Sequence, residues 1–217
     1  MNEDIKAAID KNRVIVIVRG QYGENLTNLA KALYEGGVRL LEVTFDQSDP
    51  DNLTKTPTAI RQVSEALPGI LVGAGTVMDK AQVDAAITGG AKYIISPNTD
   101  EEVIRYTKEK GLISIPGAMT PSEIAAAHKY GADYVKIFPV IDLGVGYIKN
   151  IRAPLPHIKL VATGGVDENN FADFMKAGMV GAGVSGRLTD KKLVAEGNFA
   201  ELKKRAEAFC RIVKEIG

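Results

Sequence analysis

The sequence has a single cysteine, Cys210, so no internal disulfide can form. A fold held together by disulfides is excluded, and the chain does not need an oxidising compartment. An excess of charge of either sign is also missing, since 27 lysines and arginines balance 27 aspartates and glutamates. A balanced chain lacks the basic surface typical of proteins that bind nucleic acid or anionic membranes, although local groups can still bind a small anion. We expect neither nucleic acid nor membrane as a partner.

Long apolar runs are absent as well, and none approaches the roughly 20 residues that a membrane-spanning helix needs. The charged N-terminal stretch MNEDIKAAIDKNR lacks the apolar core of a signal peptide, which predicts a cytoplasmic protein. The two histidines, His128 and His157, form no cluster with metal-ligand spacing, so we expect no metal site. The glycine-rich dinucleotide loop, the Walker loop and the Ser-His-Asp order are all missing.

One repeated pattern is present: a polar segment with helical periodicity, then a glycine or proline, then a short apolar run. The glycine suits the left-handed position that ends a helix, and the apolar run is typical of a buried parallel strand. Eight such units in 217 residues predict a single-domain α/β fold over residues 1–217, a TIM (β/α)8 barrel rather than an open doubly wound sheet. The predicted strands are 13–19, 40–45, 70–76, 93–97, 112–117, 134–139, 159–165 and 180–186.

Capping residues predict where several helices begin. Residues 120–123 (TPSE) combine a threonine cap, a proline at the first helical position and a glutamate at the third. Thr99 precedes the acidic turn 100–102, which suits a helix N-terminus, and residues 167–168 are predicted to begin a helix in the same way. The chain is predicted to close with one long helix, from Lys191 to Ile216.

A lysine lies inside the apolar strand YVKIFP. Because strand side chains alternate, Val135 and Ile137 share one face, and Lys136 and Phe138 share the other. If the apolar pair faces the helices, Lys136 points into the barrel, where burial lowers the pKa of its amine. A neutral amine is a nucleophile toward ketones. The alternative is a structural lysine paired with a carboxylate.

The strand LLEVTF places Glu42 in the barrel by the same alternation. A carboxylate there is rarely without a partner, and its candidates are Lys136, Arg19 or a catalytic water. A buried glutamate beside a Schiff base suits proton transfer at the substrate carbons. The alternative is an ion pair that stabilises the core.

Two glycine-rich turns end the last two strands, at 163–165 (TGG) and 185–186 (SG). Glycines let backbone N–H groups approach an anion, and the loops after strands 7 and 8 of a barrel are the usual phosphate site. These turns therefore favour a phosphorylated ligand, although tight turns alone would also use glycine.

The strand ends together resemble the KDPG (2-keto-3-deoxy-6-phosphogluconate) and KHG (4-hydroxy-2-oxoglutarate) aldolases. The similarity runs over nearly the whole chain and is carried by IVIVRG, LLEVTF, VGAGTV, YIISPN, IPGAMTPSEI, VKIFP and ATGGV. The resemblance implies a class I aldolase that cleaves a 2-keto-3-deoxy sugar acid, phosphorylated at C6, or 4-hydroxy-2-oxoglutarate. The products would be pyruvate and an aldehyde. It also implies a homotrimer that binds a small anionic substrate and needs neither a metal nor an organic cofactor.

The resemblance also implies a role for each strand-end residue. Lys136 would form the Schiff base, and Glu42 would be the general acid and base. The substrate-binding residues would be Arg19, Thr76, Pro97, Phe138, Thr163, Gly164, Gly165 and Ser185.

Two positions depart from the family pattern. Asp46 stands four residues after Glu42, where KDPG-cleaving members have an arginine that binds the substrate carboxylate. Either Arg19 or a group of backbone N–H donors takes the place of that arginine, or the substrate differs from KDPG. Gly186 and Arg187 follow Ser185 where a bulky aromatic is expected, and Arg187 could reach a distal anion. Two alternatives stay open at this point: a phosphosugar epimerase or isomerase, and a non-catalytic ligand-binding barrel.

Overall fold

The predicted apolar runs form one parallel sheet in the computed structural model, which describes residues 2–216. Each run contributes one strand except the fifth, which is divided in two by Pro116. The strands are β1 (Val14–Val18), β2 (Leu40–Thr44), β3 (Leu71–Gly75), β4 (Tyr93–Ile95), β5 (Ile113–Ile115), β6 (Gly117–Ala118), β7 (Val135–Ile137), β8 (Leu160–Thr163) and β9 (Gly181–Val184).

The strand order shows how the sheet closes. It runs β5-β4-β3-β2-β1-β9-β8-β7-β6, and its two end segments are separated only by Pro116. Proline has no N–H to donate, so it interrupts the ladder, but its carbonyl still accepts a 2.8 Å bond from the Lys136 N–H. The sheet is therefore a nearly closed parallel barrel, which confirms the predicted TIM-barrel class.

Helices connect the strands and cover the outside of the barrel. None of them, within residues 2–216, is long and apolar enough to cross a membrane. They are α1 (Asn2–Asn12), α2 (Gly23–Glu35), α3 (Asn52–Ala66), α4 (Lys80–Gly89), α5 (Glu101–Glu109), α6 (Pro121–Lys129), α7 (Gly144–Arg152), α8 (Phe171–Lys176), the 3-10 turn η1 (Gly186–Thr189), α9 (Lys191–Ala195) and α10 (Phe199–Ile216).

The helix α1 packs across the N-terminal end of the barrel. Its Ile5 and Ile9 are buried in the inner core, and its Asp10 accepts hydrogen bonds from Tyr134 and Lys159 at the starts of β7 and β8. Because this end is filled by side chains, the opposite end, where barrel active sites lie, is the one available to a ligand.

The predicted start of α6 is confirmed. Thr120 accepts a hydrogen bond from the Glu123 N–H, and the Glu123 carboxylate accepts one from the Thr120 N–H, which together form a capping box. The acidic turn before α5 also caps its helix, through the Asp100 side chain.

The prediction that a helix begins at residues 167–168 is wrong. The Asp167 carboxylate accepts hydrogen bonds from the N–H groups of Asn169 and Asn170, and this local turn competes with helix formation. The helix α8 begins only at Phe171, so Glu168 lies in a loop.

The prediction of a single closing helix from Lys191 to Ile216 is also wrong. It is divided into α9 and α10 at Gly197, whose φ of 69° is left-handed and stops the first helix. Asn198 then accepts a hydrogen bond from the Glu201 N–H in the first turn of α10.

Candidate active site

A cavity of about 560 Å³ opens at the C-terminal end of the barrel strands. The structure brings every candidate residue of the sequence analysis to the wall of this one cavity. They are Arg19, Glu42, Thr76, Pro97, Lys136, Phe138, Thr163, Gly164, Gly165 and Ser185.

Lys136 lies in the wall of the cavity on β7. Its neighbours Val135 and Ile137 are fully buried in the outer core with the helices, so the predicted alternation is present. The lysine itself is 7% exposed, and its Nζ lies 4.8 Å from the centre of the Phe138 ring. Burial lowers the pKa of Lys136, with a smaller lowering from Arg19 and a partial opposing effect from Glu42.

Glu42 enters the same cavity from β2 and is 2% exposed. Its carboxylate lies against Gly75, where a Cβ atom would overlap the carboxylate oxygen, so the glycine makes room for the acid. Burial raises the pKa of Glu42, against the lowering effects of Lys136 and Arg19. The raised pKa shifts Glu42 toward the protonated carboxyl form, which can act as an acid.

Glu42 and Lys136 interact through space without forming an ion pair within 4.0 Å, either with each other or with another of residues 2–216. A purely structural lysine or glutamate would be expected to pair directly. Both groups line the same cavity from buried positions.

Arg19 and Thr76 lie next to each other at the rim. The Arg19 guanidinium is 3.5 Å from the Thr76 hydroxyl, and it is exposed. Thr76 has a left-handed φ of 55°, a strained conformation for a β-branched residue. Gln47 donates a 2.7 Å hydrogen bond to the Thr76 carbonyl, and Gln82 in turn donates to the Gln47 amide oxygen at 2.9 Å.

Asp46, at the position of the expected arginine, forms hydrogen bonds within its own loop. Its carboxylate accepts hydrogen bonds from the Ser48 hydroxyl at 2.6 Å and the Ser48 N–H at 3.0 Å, and these bonds lower its pKa. Asp46 is exposed, and it is not part of the cavity wall. The substitution therefore removes a cation from the site without placing an anion inside it.

The loops after β8 and β9 form the far side of the cavity. Gly164, Gly165 and Gly186 all have left-handed φ values, of 89°, 81° and 45°. Within residues 2–216, the N–H groups of Gly165 and Gly186 donate to no other main-chain oxygen. Ser185 is exposed beside them. Such a set of free N–H groups suits an anion.

Sequence reasoning missed two features of the site. The Gln47–Gln82 amide pair carries no motif, and the sequence pattern predicts a helix at Glu168, where the structure has a loop. Glu168 lines the cavity and pairs with Arg187 at 2.7 Å. Across residues 2–216, no group of three or more His, Cys, Asp or Glu side chains is arranged to hold a metal ion.

The barrel and this cavity are compatible with an enzyme of the aldolase class, and comparisons with known proteins identify the family. The model of the family described as "KDPG and KHG aldolase" matches residues 5–205. The chain is 38% identical over 176 residues to a probable 2-dehydro-3-deoxy-6-phosphogalactonate aldolase of Rhizobium meliloti, covering 81% of each chain. It is 30% identical over 193 residues to the 2-dehydro-3-deoxy-phosphogluconate aldolase of Pseudomonas aeruginosa, covering 88% of this chain and 85% of the relative.

A solved structure with a similar fold belongs to a protein of the same family. The KDPG aldolase of Legionella pneumophila, with pyruvate captured as a covalent carbinolamine, is 25% identical to this chain. Its TM-score is 0.83 over 94% of this chain and 96% of that one. The chain therefore belongs to the KDPG and KHG aldolase family, and it is a carbon–carbon lyase. The aldolase interpretation is supported, and the epimerase and non-catalytic alternatives are not.

Proposed function

We propose that the enzyme cleaves a 2-keto-3-deoxy sugar acid phosphorylated at C6, through a Schiff base on Lys136, to pyruvate and glyceraldehyde 3-phosphate. The observation that carries the proposal is the burial of Lys136 and Glu42 in one cavity with no direct ion pair between them. The galactonate-type and gluconate-type substrates named for its relatives differ in configuration at C4, and both have this chemistry.

The first half of the reaction forms the imine. The neutral amine of Lys136 attacks the C2 ketone and gives a carbinolamine. Glu42 then gives a proton to the departing hydroxyl group, which leaves as water, and the nitrogen lone pair completes a protonated imine. The lowered pKa of Lys136 favours the attacking amine, and the raised pKa of Glu42 favours a carboxyl group that still carries a proton.

The second half breaks the carbon–carbon bond. Glu42, now ionised, takes the proton of the C4 hydroxyl, directly or through a water, and the aldehyde forms as the C3–C4 bond breaks. The electron pair of that bond moves to the imine and leaves an enamine on Lys136. Protonation of C3 by Glu42 and hydrolysis of the resulting imine release pyruvate and restore both residues.

We assign binding groups to the two ends of the substrate. Arg19 and Thr76, which lie next to each other, bind the substrate carboxylate in this proposal, with Arg19 taking over from the arginine that Asp46 replaces. The N–H groups of Gly165 and Gly186 and the hydroxyl of Ser185 bind the phosphate in this proposal, because all three residues line the cavity.

We also propose that the enzyme is a cytoplasmic homotrimer. Large apolar side chains, including Met78, Met119 and Ile141, are exposed on loops at the C-terminal end of the barrel strands. Contact between copies of the chain would bury them. Mass measurement in solution by light scattering tests the trimer, and a monomer at micromolar concentration would contradict it. The single cysteine, Cys210, suits a reducing compartment.

Pyruvate release from three substrates tests the proposed reaction. We expect the highest kcat/KM for one of the two C6-phosphorylated 2-keto-3-deoxy acids, and a lower value for 4-hydroxy-2-oxoglutarate. Lys136→Ala should abolish release, and Lys92→Ala, which changes an exposed lysine outside the cavity, serves as its control. Failure to release pyruvate from all three would contradict the proposal.

A further inference from the structure

An ion pair closes the far side of the cavity and has no role in the reaction described above. Arg187, in η1, lies with its Nη1 2.7 Å from Oε1 of Glu168, in the loop before α8. Both residues line the cavity, and they join the two loops that end β8 and β9. The pair therefore lies beside the N–H groups proposed to hold the phosphate.

We infer that Arg187 is a side-chain ligand of the substrate phosphate, and that Glu168 occupies it while the site is empty. The pair then determines how strongly the enzyme prefers phosphorylated over unphosphorylated substrates. This inference rests on the proposed function, because it names the group that recognises the distal end of that substrate.

The inventory of charges in the cavity supports this assignment. Within residues 2–216, three cationic side chains line the wall: Lys136, Arg19 and Arg187. Lys136 is taken by the reacting carbonyl, and Arg19 lies beside Thr76, although it also lines a smaller cavity with Ser185 and Gly186. The other phosphate donors are uncharged, and Arg187 is the cation that directly follows Gly186 in the chain, so it can add to Arg19 in binding a phosphate that carries close to two negative charges.

The geometry of Arg187 allows the exchange of partners. Its side chain is 57% exposed, whereas Glu168 is 29% exposed, so the ion pair is open to solvent and weak. The main chain of Arg187 is fixed, because Arg205 of α10 donates a 3.1 Å hydrogen bond to its carbonyl. The guanidinium can therefore turn from Glu168 to a phosphate while its backbone stays in place, and a phosphate offers it two charge-assisted bonds.

The neighbouring acid, Asp167, does not share this role. Its carboxylate accepts hydrogen bonds from the N–H groups of Asn169 and Asn170, at 2.8 and 3.2 Å, and is held in its own turn. Glu168 is thus the carboxylate that competes with the phosphate for Arg187. Neutralising Glu168 should free the guanidinium and remove a repulsion at the same time.

The test compares kcat/KM for 2-keto-3-deoxy-6-phosphogluconate with kcat/KM for the same acid without its phosphate. Arg187→Gln should lower the ratio of the two values roughly tenfold to a hundredfold, as expected for loss of charged hydrogen bonds. Glu168→Gln should raise the ratio by about two- to fivefold, in line with an exposed ion pair. The double variant should behave like Arg187→Gln alone, because Glu168 acts through Arg187.

A second ion pair provides the matched control. Arg105 and Glu101 on α5 lie 2.7 Å apart with 57% and 51% exposed side chains, outside the cavity. Arg105→Gln removes the same charge and should leave the ratio unchanged. The inference is overturned if Arg187→Gln lowers both kcat/KM values equally or lowers neither, or if the unsubstituted enzyme does not prefer the phosphorylated acid.

Trapping of pyruvate with borohydride in the unsubstituted enzyme separates this inference from the proposed function. An adduct on Lys136 together with an unchanged ratio in Arg187→Gln would remove the inference and leave the aldolase mechanism in place. Absence of the adduct would remove the mechanism itself, and the inference with it.

Discussion

The side chain of Gln47 donates a 2.7 Å hydrogen bond to the main-chain carbonyl of Thr76, and so links the loop after β2 to the loop after β3. Thr76 has a left-handed φ of 55°, which costs about 1 kcal/mol or more for a β-branched residue. The Gln47 amide therefore stabilises the strained backbone of Thr76, whose side-chain hydroxyl lies 3.5 Å from the Arg19 guanidinium. Gln82 keeps Gln47 in place with a 2.9 Å bond to its amide oxygen.

Replacing Gln47 should weaken substrate binding more than it slows the chemistry. Gln47→Ala removes the bond to the Thr76 carbonyl, so the turn relaxes and the carboxylate site loses its shape. We expect KM for the sugar acid to rise by about fivefold, since one hydrogen bond is worth about 1 kcal/mol, with a smaller change in kcat. Gln62→Ala is the control, because Gln62 donates a similar amide bond to the Gly23 carbonyl on the outside of the barrel. A fall in kcat with unchanged KM would argue against this role.

A methyl group at Gly75 should displace the catalytic acid. In Gly75→Ala the new Cβ would overlap the Glu42 carboxylate and force it out of its present position. We expect kcat to fall by about a hundredfold or more, as for loss of a general acid and base, together with a lower melting temperature. Gly146→Ala is the matched change, since a Cβ there meets nothing within 4 Å, and it should leave kcat unchanged and slightly stabilise α7. Equal activity of the two variants would contradict the position of Glu42.

Removing the carboxylate of Glu42 should slow proton transfer without preventing attack by Lys136. We expect Glu42→Gln to lower kcat by about a hundredfold to ten-thousandfold, the usual contribution of a general acid and base. The variant should still form a pyruvate adduct on Lys136, although slowly. Retention of the full kcat would show that another group carries the protons.

The pH dependence of adduct formation tests how the charges in the cavity act on Lys136. Only the neutral amine attacks, so the rate should rise with pH through the pKa of Lys136, which burial places below its ordinary value. Glu42 raises this pKa and Arg19 lowers it. The midpoint of the profile should therefore move to lower pH in Glu42→Gln and to higher pH in Arg19→Gln. Shifts in the same direction in both variants would contradict the arrangement.

The barrel and the core of the site were predictable from the sequence, because both follow from alternation within short strands. The patterns in LLEVTF and YVKIFP place Glu42 and Lys136 on the inner face, and the structure has them there. Their roles in catalysis come from the resemblance and stay predictions until the adduct is located.

The features of the site that the sequence could not predict depend on side chains that form hydrogen bonds or ion pairs in the loops. Asp167 was predicted to begin a helix, but its carboxylate bonds to the next N–H groups and delays the helix to Phe171. That delay leaves Glu168 free to meet Arg187 from another loop, a contact between residues 19 positions apart that no local pattern specifies. Gln47 and Thr76 are likewise 29 positions apart. Such contacts appear only once the barrel has brought the loops together.

The most direct test of the account is borohydride reduction of the enzyme in the presence of pyruvate, followed by intact mass measurement and peptide mapping. The account predicts one reduced pyruvyl group per chain, on the peptide that contains Lys136, and its absence in Lys136→Ala but not in Lys92→Ala. An adduct on a different lysine, or no adduct at saturating pyruvate, would contradict the assignment of Lys136 as the Schiff-base residue.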